Sequence, residues 1–211
     1  DQFKKEIYTM KLSLKWIKKY VDLPEDLTME KLSYDLTMCT VEVEDAVDLA
    51  ESLGGLVVGI IITVEPHPDA DKLRICTVDV GDMAPSTIVC GGINLVPGQL
   101  TVVAKPGAMV RWHGVGDPVE IKPAKLRGVM SYGMICSSGE IGLEELLPVS
   151  REAEIIDITE LGAEPGSSAA EALGLNDIIL EIDNKSLTNR PDLWGHYGMA
   201  RELAAIYDRK L

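Results

Sequence analysis

The sequence predicts an α+β protein in which a small closed β-barrel is carried between helical segments. Three observations predict this class. Between residues 41 and 138 the apolar residues fall in period-two patterns and short runs, broken by turn clusters of Gly, Pro, Asp and His. At both ends the spacing shifts to the helical period, with capping residues in place. At 211 residues, 46% hydrophobic and 26% charged, the chain has the composition of an ordinary globular protein with room for one good-sized domain or two small ones. Aromatic residues make up only 5%, so Val, Ile, Leu, Ala and Met must build the core.

Taken in order, Ser13 can cap a helix over residues 14–20, with Leu14, Ile17 and Val21 on one stripe and Lys15, Lys18 and Lys19 on the other face. Thr28 can cap a second helix running to about Met38, with Leu32 and Leu36 inward and Glu30 favourable in the first turn. Strands are expected over residues 56–65, 73–80, 86–90, 100–104, 119–122 and 134–136, joined by turns such as Pro66–Asp69, Gly81–Asp82, Gly91–Gly92, Pro97–Gly98 and Pro106–Gly107. Five or six short strands over about 100 residues suit a small barrel. A further strand is expected over residues 178–182 and a final helix over 195–208, with Ala200, Leu203, Ala204 and Tyr207 on one face. Helices on both sides of a barrel raise the possibility that the ends pack together around an insertion. Residues 1–9 precede Met10, which reads as a natural start, and carry no assigned function.

The net charge of −14 weighs against any simple nucleic-acid surface, because phosphate binding shows as basic charge. Its distribution is uneven. Residues 1–39 carry 7 basic and 7 acidic groups, 40–150 carry 7 and 15, and 151–211 carry 6 and 12. Any contact with RNA must therefore use a local patch. Cys39, Cys76, Cys90 and Cys136 form no C-x-x-C pair, and His67, His113 and His196 lie at no zinc-ligand spacing from them. Buried reduced thiols are expected, with no metal. The longest nearly unbroken apolar run, residues 56–64, is far short of a membrane helix. The N-terminus lacks a signal pattern, so a cytoplasmic protein without membrane contact is expected.

Three segments carry candidate chemistry. In His67-Pro68-Asp69-Ala70-Asp71-Lys72-Leu73 two prolines flank a histidine between strands, which reads either as a well-made turn or as a rigid loop at a barrel rim. Cys90-Gly91-Gly92-Ile93-Asn94 permits close backbone approach, and no Gly-Lys-Ser/Thr follows to make it a phosphate loop. Lys125 to Ser137, with Lys122, is the concentrated basic stretch of the middle section. Its cations could face phosphate, with Tyr132 or Trp112 as a stacking platform, or could simply be a solvated rim. In Asn189-Arg190-Pro191-Asp192, Pro191 suits the approach to a helix, and Arg190 can pair with Asp183 or Asp192.

The order His-Pro-x-Ala-Asp-Lys-Leu, Cys-Gly-Gly-x-Asn, then Lys-Leu-Arg-Gly-x-x-Ser-x-Gly-Met-x-Cys-Ser resembles the tRNA-binding (EMAP-II-like) OB domain. That domain occurs in bacterial phenylalanyl-tRNA synthetase β subunits, in some methionyl enzymes and in free-standing tRNA-binding proteins. The flanks are similar to the first domain of the β subunit: Met10-Lys11-Leu12-Ser13-Leu14-Lys15-Trp16-Ile17, Thr40-Val41-Glu42-Val43-Glu44, and Asn189-Arg190-Pro191-Asp192 leading to Gly198-Met199-Ala200-Arg201-Glu202-Leu203-Ala204-Ala205.

The resemblance implies an OB-fold β-barrel, residues 40–150, inserted into a small split α/β domain made of residues 10–39 and 151–211. It implies a non-catalytic tRNA-binding or assembly portion of phenylalanine–tRNA ligase, here an N-terminal fragment. The implied partners are tRNA(Phe) and the α subunit, in a heterotetramer of two α and two β. ATP and Mg²⁺ are implied for the holoenzyme and no cofactor for this portion. No residue is expected to be catalytic, since the family's aminoacylation site lies on the α subunit. The expected RNA-contacting residues are Lys72, Arg74, Asn94, Lys122, Lys125, Arg127, Ser131 and Tyr132. The alternatives are a subunit-assembly module with little RNA contact and a free-standing tRNA-binding protein.

Overall fold

The structure, a computed structural model, describes residues 9–151 and 153–211. The expectation for residues 1–9 falls, apart from Thr9, outside the described residues. In chain order, β1 (Thr9–Ser13) leads into α1 (Leu14–Ile17), then α2 (Met29–Cys39) and β2 (Val43–Asp48). The strands β3 (Leu56–His67), β4 (Ala70–Asp79), β5 (Ser86–Cys90), β6 (Leu100–Ala104), β7 (Met109–Arg111), β8 (Pro118–Glu120), β9 (Ala124–Leu126), β10 (Val129–Ser131) and β11 (Met134–Ile135) follow. A short α3 (Ala169–Ala172), β12 (Ile178–Asp183) and α4 (His196–Ile206) complete the mixed α/β architecture. Most of the regular structure is sheet.

The chain forms two compact units, Asp1–Leu49 with Asn176–Leu211, and Ala50–Leu175. In the first, β12 is the centre of a three-stranded antiparallel sheet in the order β1-β12-β2. Its core joins both ends of the sequence: Leu32 and Leu36 of α2, Leu180 and Ile182 of β12 and Leu203 of α4 are all at most 1% exposed. Burying each such side chain contributes roughly 1.5–3 kcal/mol.

Local chemistry explains the elements. The Ser13 hydroxyl accepts the Trp16 N–H at 2.9 Å and caps α1. The Thr28 hydroxyl accepts the Lys31 N–H at 3.2 Å and caps α2. α1 stops at Ile17, short of the expected residue 20, because the next three residues tighten into turns whose N–H groups bond back to Leu14, Trp16 and Ile17. Arg190 pairs with Asp192 through Nε and Nη2, both at 3.0 Å, and Nη2 also donates to Glu202 at 3.0 Å. Thr40 Oγ1 donates to the same Glu202 carboxylate at 2.7 Å, tying the end of α2 to α4. The double pairing raises the Arg190 pKa further, and the Arg190 hydrogen bond holds the Asp192 carboxyl below its ordinary range. Gly198 sits where any Cβ would run into the Asp192 carbonyl, so α4 can approach that loop only through glycine.

In the second unit five strands form one antiparallel sheet, β11-β6-β3-β4-β5. β3 pairs with β6 along its first half and with β4 along its second, with register shifts near Ile61–Thr63 and Pro66–His67. A closed barrel was the expectation. Among the described residues no strand ladder joins the β11 edge to the β5 edge. The chain ahead of β11 instead reaches β5 through one backbone bond, Tyr132 N–H to Thr87 O at 2.9 Å. Two hairpins, β7–β8 and β9–β10, stand beside the sheet as separate two-stranded ribbons. Several strands were not expected: β1, β2, β7, β9 and β10 are short or carry too much polar sequence for a periodic signal.

The unit boundaries lie later than the expected 39/40 and 150/151. Residues 43–48 join the first unit because β2 pairs with β12 from Asp48–Ile178 to Val43–Ile182. Residues 154–175 join the second because their backbone continues its hydrogen bonding. Ile156 N–H donates to Cys136 O at 3.1 Å, Ile158 N–H to Leu100 O at 2.9 Å, and Val58 N–H to Ser167 O at 2.9 Å. Ile156, Ile158, Ala169 and Ala170 are buried with Leu56, Val58 and Val102. Cys76, Cys90 and Cys136 are buried and unpaired, and Cys39 is exposed. Burial pushes the Cys76 thiol up to about 12 and the Cys90 thiol to about 11, with Cys136 raised for the same reason.

Candidate nucleic-acid interface

The site is built on two hairpins whose tips are neighbours. In the β3–β4 hairpin the link is Pro68–Asp69, stiffened by the proline ring. The Asp69 N–H donates to His67 Nδ1 at 3.1 Å. With Nδ1 accepting, the ring proton belongs on Nε2, which faces the Leu126 carbonyl of the second hairpin at 3.3 Å. His67 is 5% exposed, so it acts as a buried tie between hairpins. In the β9–β10 hairpin the turn is Arg127–Gly128, with φ of 48° and 98°. Two successive positive φ values suit the twist of a two-residue hairpin and demand glycine at the second position. A Cβ on Gly128 would lie 4.0 Å from Asp69 Oδ2, which places the two turns side by side.

These hairpins carry four of the expected cations. Lys72 and Arg74 alternate on one face of β4. They line a cleft of about 490 Å³ with Gly91, Gly92, Ile93 and Leu95. Arg74 Nη1 donates to the Asp71 and Leu73 carbonyls, each at 3.0 Å, which lays its guanidinium along its own strand. Lys72, Lys125 and Arg127 are exposed. Such cations can fix the position of a phosphate backbone without reading its sequence.

The other expected residues divide. Tyr132 is 49% exposed. Lys122 is exposed, and its ammonium pairs with Glu120 at 2.9 Å, so part of its charge is offset locally. Asn94 is spent internally: Nδ2 donates to Ile155 O at 3.0 Å and Oδ1 accepts the Ile155 N–H at 2.9 Å. Ser131 is 3% exposed; its hydroxyl accepts the Val89 N–H and donates to Gly133 O, both at 3.0 Å. For these two the geometry supports a structural role, because their hydrogen-bonding groups already have partners inside the protein. The expected list omitted His67, although the flanking prolines marked it.

Residues 56–158 match the family described as "Putative tRNA binding domain". Every expected contact residue falls within that span. The similarity to curated proteins runs much further, through both flanks. The chain is 43% identical over 197 residues, 93% of its length, to the phenylalanine–tRNA ligase β subunit of Thermosynechococcus vestitus. It is 42% identical over 204 residues, 96% of its length, to that of Staphylococcus epidermidis. It is 40% identical over 203 residues, again 96%, to that of Halalkalibacterium halodurans.

The chain belongs to the phenylalanine–tRNA ligase β-subunit family. It spans 22–24% of the length of these three relatives. The paired hairpins thus sit in the tRNA-binding domain of a β-subunit-family chain. The Arg190–Asp192–Glu202 cluster and the α1 and α4 helices sit in the flanks that the β-subunit relatives share. Among the described residues no group of three or more His, Cys, Asp or Glu side chains is arranged to hold a metal ion, and no helix is long and apolar enough to cross a membrane.

Proposed function

We propose that this chain helps position tRNA(Phe) for a phenylalanine–tRNA ligase, with the paired hairpins as its phosphate-facing surface. The observation that carries the proposal is the tie between His67 and Leu126, which joins the hairpin bearing Lys72 and Arg74 to the one bearing Lys125 and Arg127. Tyr132 supplies a ring near this surface, and Lys122 adds a cation partly offset by Glu120. In this reading the five-stranded sheet serves as an OB-type barrel, with the Tyr132–Thr87 bond standing in for closure. In this reading the second unit is an insertion into the first, and the whole acts in the cytoplasm within an assembly of two α and two β subunits. ATP and Mg²⁺ then belong to the assembled enzyme and its α subunit, and this portion performs no chemical step itself. Identity through the flanks supports a β-subunit role over a free-standing tRNA-binding protein.

The test is binding of tRNA(Phe) by the 211-residue chain at low salt. Replacing Lys72, Arg74, Lys125 and Arg127 together by Ala should weaken binding by one to two orders of magnitude. It should also reduce the slope of log K against log salt by roughly 0.7–0.9 per lost phosphate contact. Unchanged affinity and slope would remove the hairpins from the interface. The net charge of −14 favours a second reading, subunit assembly with little RNA contact. That reading expects RNA-free capture of an α subunit by the same quadruple variant.

A further inference from the structure

We infer that the first unit carries a second nucleic-acid surface, a stacked aromatic platform flanked by lysines that takes unpaired bases of single-stranded RNA. It lies outside residues 56–158 and does not depend on the hairpin reading. Trp16 and His196 stack with ring centroids 4.3 Å apart and planes 22° from parallel. Tyr20 meets Tyr197 edge to face at 5.4 Å. Trp16 Nε1 donates to the Tyr20 hydroxyl at 3.4 Å, linking the two pairs into one cluster. Sequence explains the arrangement. Trp16 lies in α1 and Tyr20 four residues on, in the turns that follow it, and His196 and Tyr197 open α4.

The aromatics are nevertheless exposed: Trp16 by 50%, Tyr20 by 37% and Tyr197 by 56%. The cluster is also held in place. His196 Nε2 accepts the Ser13 N–H at 3.0 Å, which fixes the imidazole against the indole while half of Trp16 stays exposed to a ligand. A rigid, half-exposed aromatic stack is what a base needs to extend it, and base–aromatic stacking tolerates any base.

Two further observations bear on the ligand, and the first favours RNA over a protein partner. Lys18 and Lys19 are exposed on the same turn, interleaved with Trp16 and Tyr20, so phosphates flanking a stacked base meet charge of the right sign. In addition, five of the eight large exposed apolar residues described in the first unit are aromatic: Trp16, Tyr20, Tyr34, Trp194 and Tyr197. In the second unit only Trp112 and Tyr132 of fourteen are. Rings of this kind also anchor protein interfaces, so the bias marks a stacking surface and the flanking lysines decide for RNA.

The experiment is fluorescence anisotropy of a labelled 12-nucleotide uridine oligomer with the 211-residue chain at low salt. Trp16→Leu should weaken binding on the order of tenfold, and Trp16→Phe, which keeps a stacking face, should recover most of it. Replacing Lys18 and Lys19 by Ala should lower the salt slope by roughly 0.7 per phosphate lost. Replacing Lys125 and Arg127 by Ala should leave the Trp16 effect intact, which separates this surface from the hairpins. Near-ultraviolet circular dichroism checks that each variant is folded. Folded Trp16→Leu and Lys18/Lys19 variants that bind the oligomer like the parent would overturn the inference and leave the platform to a protein partner. So would equal losses with Leu and Phe at position 16.

Discussion

Replacing Ser131 by Ala separates a structural from an RNA-contacting hydroxyl. Ser131 Oγ accepts the Val89 N–H and donates to the Gly133 carbonyl, both at 3.0 Å, within a site that is 3% exposed. Alanine keeps the backbone and removes both bonds. The Val89 N–H then loses its partner in a residue only 7% exposed. An orphaned buried donor costs about 1–3 kcal/mol, and the accompanying loss at Gly133 places the expected effect near 2 kcal/mol. For a unit spanning Ala50–Leu175, at about 2.1 cal/mol/K per residue, that corresponds to a fall in Tm of roughly 8 °C. Differential scanning calorimetry of the 211-residue chain should show the transition of this unit move while the other stays. Affinity of the folded variant for tRNA(Phe) should remain within about twofold of the parent. An unmoved transition combined with a clear loss of affinity would show the hydroxyl facing RNA and refute the reasoning from its buried partners.

Two further outcomes follow from the groups around the cores. His196 must be neutral to accept the Ser13 N–H, and burial lowers its pKa from the ordinary 6.5, with Asp177 acting weakly in the other direction. The unfolded chain therefore binds that proton more readily than the folded one. The contribution is fully present above pH 6.5 and is lost as pH falls through the lowered value. Denaturant midpoints of the first unit should drop between pH 7.5 and pH 5.0, and the drop should shrink in His196→Gln; an identical drop in the variant would rule the histidine out. Thiol accessibility gives the last check. At pH 8 only the exposed Cys39 should react promptly with a disulfide reagent, because burial raises Cys76 to about 12 and Cys90 to about 11 and also shields Cys136. More than one fast-reacting equivalent in the folded protein would contradict the packing described.

Much of the fold was legible because its signals are short-range. A hydroxyl three residues ahead of a free N–H caps a helix wherever that helix packs, so Ser13 and Thr28 could be read directly. Arg190 and Asp192 are close enough in sequence to pair before any tertiary structure forms. The central strands announced themselves by apolar runs, since β6 is buried along its whole length and β3 along most of its first half. The edge elements did not: β9 is exposed at all three positions and has no apolar face for a periodic pattern to reveal.

The sequence by itself determined the caps, the central strands, the Arg190 pairing and, through motif order and flanks, the family. Only the tertiary structure decided where the units divide, which polar groups already have partners and which hairpins meet. Asn94 and Ser131 look like available hydrogen-bonding groups until Ile155, 61 residues away, and Val89, 42 residues away, are seen to occupy them. The same distant pairing makes β2 part of the first unit and sets Trp16 on His196. The physical reason is that a polar or aromatic side chain carries no local mark of its partner. Its role is set by whichever group long-range packing brings within hydrogen-bonding or stacking reach.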